Sequence, residues 1–558
     1  MYLRKKFLVD IFYVLLALEL VLAYFYTLDL FKPSYVILFR GATWVRVYKL
    51  GLSNQGFYAL LPLLAVSLAL GMCAYKAGGF RAIKPSKLAC YVLAALTVAS
   101  CLPLLYWVAY TWSPEPLLDC GFSPYRWVSE LDAGLFHVYA PVYPLLLLAT
   151  LYAWLPPAVG KLVKGRVRVR VRCRGVLKTA ADCPLSGSAR HPCLTLASAI
   201  LLSIALPLIP YLPAINPEFR PASVDIRYYS RWLGNMLTTD HWSAIEYAFY
   251  GMRNGNRPLY LMLLYGLTSL GIPRQVVLNF EALLISPLFA LAVYFAAVRL
   301  SGDRLYVSLA SLAAVLGFNM TVGMFAGYFA AWTALIPFYA CIALTPGLEE
   351  RGLVGCLAAS VAMLYIHPWT WSLLMAVLTV HLASKALGSG RLDRRLLAVL
   401  LANAAADTLK TLVSPSYGGL TSSATILGNE KRFGVTPLLD LPRSLRRLST
   451  TYVGGLFLNP LHMLLALIGV LSLLGKRDRS SNLIVIWVAL VSLVFPFSSV
   501  GLQSHLLFAA PFPILIAEGL WTLSRHLGGL NPKLPKALTA FFLVSSLTYA
   551  VRALCNLI

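Results

Sequence analysis

Apolar runs of about 17–25 residues recur from one end of this chain to the other, and each is long enough to cross a bilayer as a helix. The chain of 558 residues is 59% hydrophobic and only 12% charged. Its mean hydropathy is +0.73. That composition excludes a soluble globular protein and predicts an all-α, polytopic transmembrane fold. The predicted spans cover 7–30, 56–78, 88–112 and 135–157, then 194–213, 276–300, 304–319, 322–345, 351–366, 370–387, 395–413, 456–475, 482–499, 505–524 and 536–553. A short surface or re-entrant helix is expected at 257–271.

The net charge of +25 is placed mainly in the connections between apolar runs. There it sets topology and meets anionic lipid, so nucleic acid is not an expected partner. Lys76, Arg81, Lys84 and Lys87 mark one connection as inner, and Glu115, Asp119, Glu130 and Asp132 mark the next as outer. The N-terminus is then cytoplasmic, with its basic head and long apolar run read as a retained signal anchor in a cell membrane. Arg391, Asp393, Arg394, Arg395, Lys476, Arg477, Arg479, Arg525, Lys533 and Lys536 also fall inside. Lys32, Arg40, Arg46 and Lys49 run against this scheme, and a re-entrant or interfacial helix at 34–50 would accommodate them.

Between 161 and 193, Arg166, Arg168, Arg170, Arg172 and Arg174 alternate with apolar residues. Period 2 is a strand signal, and the arginines suit phosphate headgroups at the cytoplasmic surface. This basic linker divides an N-terminal four-helix module (1–160) from a larger module (194–558). Cys173, Cys183, Cys193 and His191 match no common zinc spacing. The cysteines in general read as small buried residues.

The longest polar interruption runs from Asn216 to Leu261 and contains Glu218, Asp225, Asp240 and Glu246, four of 22 acidic residues. A helix is expected near Asp225, with Ser223 as N-cap. Ile226, Tyr229, Leu233 and Leu237 form its apolar face, and Asp225, Tyr228, Arg231 and Asn235 its polar one. Such a helix would lie along the membrane surface. Ser243 and Glu246 have capping-box spacing, and Asp240 reads as a turn or cap residue. On this topology the outer loops are 214–275 and 414–455, joined on that face by IHPWTW at 366–371, where Trp369 and Trp371 read as interface anchors. Lys431, Arg432, Arg443, Arg446 and Arg447 would be basic residues on the outer face, which suits an anionic ligand.

The stretches DIRYYSRWLGNMLTTDHW and GNRPLYLMLLYGLTSLG resemble the first outer loop of the C-type (GT-C) membrane glycosyltransferases. The nearest pattern is that of the lipid A aminoarabinose transferase and protein O-mannosyltransferase group. Asp225, Arg227, Tyr228, Met236, Leu237, Trp242, Arg257, Pro258 and Leu259 carry the resemblance in order. The family's Asp-Glu pair is Asp225-Ile226 here. The resemblance implies a GT-C-like core with surface helices in the first outer loop. It also implies sugar transfer from a polyprenyl-phosphate donor at the outer face to a protein, lipid or glycan acceptor.

An inverting transfer needs a carboxylate to take or position the acceptor proton, and cations to hold the departing phosphate. Asp225 is the expected base. Arg253, Arg257, Lys431, Arg432, Arg443 and Arg446 are the expected phosphate ligands, with Arg227, Tyr228, Asp240 and His367 as accessory residues. No metal-ligand set is read, no cofactor is assigned, and a divalent metal stays open. A flippase or transporter of lipid-linked sugar, or a non-catalytic relative, is the alternative. It would draw on Glu19, Asp407 and Glu518, ionisable groups inside apolar runs, with Lys410 about one turn from Asp407. Asn319-Met320-Thr321 is a glycosylation sequon at a predicted membrane edge.

Overall fold

The computed structural model describes residues 36–40, 43–48, 85–112, 142–155, 192–251, 256–301, 303–348, 350–389, 392–414, 419–420, 424, 428–448, 460–476, 478–555 and 557. The spans expected at 7–30 and 56–78, Glu19, Arg253 and the arginine-alternating linker lie outside them.

The chain is a polytopic, helical membrane protein. Six helices among the described residues are long and apolar enough to cross a bilayer: Arg274–Leu300, Arg304–Ala326, Pro368–Leu387, Arg394–Val413, Ser480–Phe497 and Leu534–Cys555. Two more, Val500–Phe508 and Phe512–Leu530, pass the same test only together and are bent by 57° at a short break, the geometry of a broken span or a re-entrant loop.

The expected helix at 34–50 is instead a hairpin. Strand β1 (Val36–Arg40) pairs antiparallel with β2 (Thr43–Tyr48), with Arg40 opposite Thr43. VILFR and TWVRVY are rich in β-branched and aromatic residues, so strand propensity wins.

The helices follow in order. They are α1 (Pro85–Trp112), α2 (Val142–Tyr152) and α3 (Pro192–Leu208). A surface set comes next: α4 (Ile226–Leu237), α5 (His241–Tyr250) and α6 (Pro258–Ser269). Next come α7 (Arg274–Phe280), α8 (Ala282–Leu300), α9 (Arg304–Leu316), α10 (Phe318–Ala326), α11 (Phe329–Leu344), α12 (Glu350–Ile366), α13 (Pro368–Ser389) and α14 (Arg394–Val413). After two short helices, α15 (Val435–Leu439) and α16 (Leu441–Leu448), come α17 (Pro460–Gly475), α18 (Arg479–Val494), α19 (Val500–Phe508), α20 (Phe512–Leu530) and α21 (Leu534–Cys555). With 12 residues, α6 is about 18 Å long, too short for a hydrocarbon core of about 30 Å.

The expected break at 319–322 is displaced. Residues 318–326 are helical, and the chain turns at Gly327, where φ is +73°. A left-handed residue ends a helix, and glycine adopts it without strain. Asn319 is buried (2% exposed) and donates to the Phe508 carbonyl (2.9 Å), so the sequon is inside the protein.

Helices from the two ends of the chain pack together. Thr548 of α21 donates to the Ser100 carbonyl of α1 (3.1 Å), and Tyr152 of α2 donates to the Ser492 carbonyl of α18 (2.8 Å). Between α17 and α20, a Cβ on Gly469 would strike the Leu515 carbonyl and one on Gly519 the Leu465 carbonyl. Both glycines let the two backbones touch, the small-residue packing that membrane helices favour.

Candidate functional site

The site begins where residues 223–225 run along the end of α10. Val224 and Asp225 N–H groups donate to the carbonyls of Phe325 (3.0 Å) and Ala326 (3.3 Å), and the Ser223 hydroxyl donates to the Met324 carbonyl. These bonds satisfy carbonyls that a helix C-terminus leaves open. Ser223 is therefore not the N-cap of α4; its hydroxyl is committed to α10, and Asp225 occupies the cap position. The Asp225 carboxylate makes no cap bond. Gly327 faces this turn closely: a Cβ there would lie 3.1 Å from both the backbone N and Cβ of Asp225.

Helix α4 buries Ile226, Tyr229, Leu233 and Met236. Met236 takes the place expected for Leu237, which is 41% exposed. Tyr228, Arg231 and Asn235 face outward as expected. In α5 the expected Ser243–Glu246 capping box is absent. The Asp240 carboxylate is the cap, accepting from Trp242 N (2.9 Å), Ser243 N (3.0 Å) and Ser243 Oγ (2.6 Å), while Glu246 is exposed. Those bonds to Ser243 hold Asp240 below the usual carboxylate range. An exposed group so committed is a structural cap.

Asp225 is half-buried, and desolvation raises its carboxyl above the usual range; Arg257 first, then Arg227, pull it back down. Arg227 donates to the Tyr228 hydroxyl (3.3 Å) and lies 5.0 Å from that ring centroid. Arg257 caps α6 ahead of Pro258 and donates to the hydroxyl of Tyr229. Tyr229 is buried at 1% exposure, and burial pushes its phenol up to about 12, so it stays protonated. Its ring meets Tyr260 edge-on at 5.3 Å, and the Tyr260 hydroxyl donates to the buried Glu281 carboxylate.

The corner between α12 and α13 brings His367 to the same place. His367 Nδ1 accepts the Thr370 N–H (3.3 Å) and sits 2.8 Å from Thr370 Oγ1, so the neutral ring carries its proton on Nε2. Burial lowers its pKa well below the usual value, with added repulsion from Arg257, His505 and Lys410. The His505 ring lies 6.4 Å from that of His367 and stacks on Tyr328 at 4.1 Å. Tyr328 directly follows Gly327, so one turn places both Asp225 and the His505 stack.

Arg257 thus lies within electrostatic reach of both Asp225 and His367, and Arg227 within reach of Asp225. Lys431 and Arg432 are exposed, on a loop whose backbone is pinned to the start of α19: Ser499 N donates to Arg432 O (2.8 Å), and Gly434 N to Phe497 O (2.8 Å). Arg443 and Arg446 lie on α16, which packs against α19, the helix that carries His505. Trp371 is not an interface anchor. It is 1% exposed and donates to Asn403 (2.9 Å). Lys410 turns from Asp407 to the Leu364 carbonyl (2.9 Å), and Glu518 pairs with Lys476 (2.8 Å) and Ser472 (2.6 Å).

Sequence reasoning missed His505, Tyr229 as an arginine partner, Tyr328 and Glu281. The available signal was a polar residue inside an apolar run, which in a membrane protein needs a reason. No group of three or more His, Cys, Asp or Glu residues among the described ones is placed to hold a metal ion.

No protein-family model matches this chain, and no curated protein matches it. Among solved structures it is similar to the crystal structure of the Archaeoglobus fulgidus oligosaccharyltransferase in complex with zinc and sulfate, at 17% identity and a TM-score of 0.43. The alignment covers 64% of this chain and 53% of that one, so this chain matches about half the length of that protein.

Proposed function

We propose that this protein is a GT-C-like membrane glycosyltransferase that moves a sugar from a polyprenyl-phosphate donor to an acceptor at the outer face of the membrane. The observation that carries the reading is the convergence of one partly desolvated carboxylate, Asp225, with Arg257 and the imidazoles of His367 and His505. Among the described residues the carboxylate makes no cap hydrogen bond, which leaves it open to chemistry.

In the proposed reaction the acceptor oxygen attacks the anomeric carbon and gives its proton to Asp225. The bond between that carbon and the donor phosphate oxygen breaks, and the phosphate leaves as an anion. Arg257 faces the developing charge with a guanidinium, and His367 with a neutral N–H. One carboxylate suffices for this proton transfer, so Ile226 beside Asp225 is compatible with activity. The outer loops 214–275 and 414–455 belong to the 194–558 module in this scheme, with 161–193 cytoplasmic. The 1–160 module is fastened to it through α1 and α2.

The test is reconstitution of the full chain in lipid vesicles with a panel of labelled polyprenyl monophosphate sugars. Sugar leaving the lipid, and its abolition by Asp225→Asn with donor binding retained, is the expected result. Transbilayer movement of the intact lipid-linked sugar, unaffected by Asp225→Asn, would establish a transporter instead.

A further inference from the structure

Helix α14 carries two buried ionisable groups that the proposed transfer does not use, Asp407 (3% exposed) and Lys410 (4% exposed). A charge removed from water is unfavourable unless hydrogen bonds compensate it, so the partners of these two groups show what they hold. The Asp407 carboxylate accepts the backbone N–H groups of Gly419 and Leu420 (3.1 Å for the latter). These residues stand at the base of the 414–455 loop. The same spot is gripped from a second side. A Cβ on Gly419 would collide with the Trp371 indole, and Ser372 Oγ donates to the Gly419 carbonyl (3.2 Å). Trp371 is itself fixed through Asn403, which donates to Ser360 (2.8 Å).

One turn along α14, the Lys410 ammonium donates to the Leu364 carbonyl (2.9 Å) and reaches the Asn256 carbonyl at 3.5 Å. It also sits 5.3 Å from the centre of the Tyr365 ring. Leu364 belongs to the turn of α12 that ends at His367, whose N–H bonds Met363 O (2.8 Å). Asn256 directly precedes Arg257. Lys410 therefore touches the backbone beside both the imidazole and the guanidinium of the site.

We propose that Asp407 and Lys410 are positioning residues that gather two separate loops into one binding site. Asp407 seats the base of the 414–455 loop. Lys410 seats Arg257 through Asn256, and the His367 corner through Leu364. A lysine suits this work because its compact head can point three donors in different directions. The consequence for catalysis rests on the transferase reading; the consequence for the loops does not.

The experiment is hydrogen exchange on the full chain in lipid vesicles, read in the peptides containing Gly419–Leu420 and Asn256–Arg257, alongside donor kinetics. Asp407→Asn is expected to speed exchange at Gly419–Leu420 by about tenfold or more, the loss of a hydrogen bond to a charged group, and to leave Asn256–Arg257 unchanged. Lys410→Met should give the reverse pattern. In kinetics Asp407→Asn should raise KM for the donor by about tenfold with kcat changed less than about threefold, whereas Lys410→Met, which unseats Arg257 and His367, should lower kcat by about tenfold or more; a misplacement of roughly 1 Å is enough for such a loss. If Asp407→Asn fails to insert, Gly419→Ala, which pushes the loop base off Trp371 without removing a charge, must loosen the same peptide. Exchange rising equally in both peptides in each variant, or in neither, overturns the inference. An unchanged donor KM in Asp407→Asn, or an unchanged kcat in Lys410→Met, overturns its kinetic part. Inactive wild-type protein with the crossed exchange pattern intact overturns the transferase reading alone.

Discussion

Two polar stretches bring cations toward the helix that carries His505, and they are built in opposite ways. Around 223–260 two charged groups, Asp225 and Arg257, are partly withdrawn from water, and their neighbours Tyr229 and His367 are buried, while Arg227, Arg231, Asp240 and Glu246 stay exposed. At 428–434 the backbone is pinned to Phe497 and Ser499, while Lys431 and Arg432 extend into solvent. Both stretches hold residues expected as phosphate ligands, Arg257 in the first and Lys431 and Arg432 in the second. Burial separates them, because an ionic contact is far stronger where water is excluded. On the proposed reading the first stretch does the chemistry and the second attracts.

The largest effect is expected at Asp225. Asp225→Asn keeps the shape and removes the base, so sugar transfer should fall by about 10²–10⁴-fold with insertion and donor binding retained. A near wild-type rate in labelled-donor assays would put the first stretch on a par with the second. Asp240→Ala should instead act on α5, since that carboxylate is its cap; local hydrogen exchange there is the measurement.

Arg257→Ala comes next, with a loss of about 10²–10³-fold if the guanidinium faces the leaving phosphate. It also carries a pH signature. Burial raises the Asp225 carboxyl, and Arg257 is the larger of the two charges opposing that rise. The active form is the carboxylate, so activity is lost as pH falls through the Asp225 pKa. The acid limb of kcat/KM should therefore lie above the usual carboxylate range in the wild type and higher still in Arg257→Ala. An acid limb that stays in place when Arg257 is removed would separate the two residues.

Gly327→Ala should weaken transfer by about 10²-fold, the scale of a misplacement of roughly 1 Å. The left-handed backbone is strained by about 1–2 kcal/mol with any side chain, and the new methyl meets Asp225 at 3.1 Å. Thermal unfolding measured beside activity tells the two effects apart.

The amphipathic helix α4 was legible because its apolar positions recur at helical spacing over twelve residues, and the start of α6 at Pro258 was legible from the order of residues leading into it. What failed was whatever depended on distant partners. Ser223 has the chemistry of an N-cap, but Met324, 101 residues away, takes its hydroxyl. Trp371 sits in a motif typical of an interface, but Asn403 turns it inward. Ser243 and Asp240 both fit a cap, and only the backbone path chooses between them. His505 and Glu281 sit in apolar runs that read as lipid-facing until a neighbouring helix supplies Tyr328 or Tyr260. The strands at 36–40 and 43–48 read as strand in their own residues; the need to accommodate Lys32, Arg40, Arg46 and Lys49 on the outer side suggested a helix.

The smallest effect is expected from Lys431 and Arg432, and it sharpens the comparison from the other side. Both side chains are exposed and can interact with an anion only through water-screened attraction, worth about 0–1 kcal/mol per contact. Their replacement by alanine should therefore change kcat by less than about twofold and leave the pH profile in place. What exposed cations do provide is long-range attraction of an anionic partner, and this is screened over about 8–10 Å at physiological ionic strength. The double variant should slow donor capture at low salt and match the wild type at high salt, whereas Arg257→Ala should remain impaired at both. A double variant whose defect persists at high salt would mean that these cations close onto the donor, and the contrast between a buried site and an exposed loop would then hold only for the protein without its substrate.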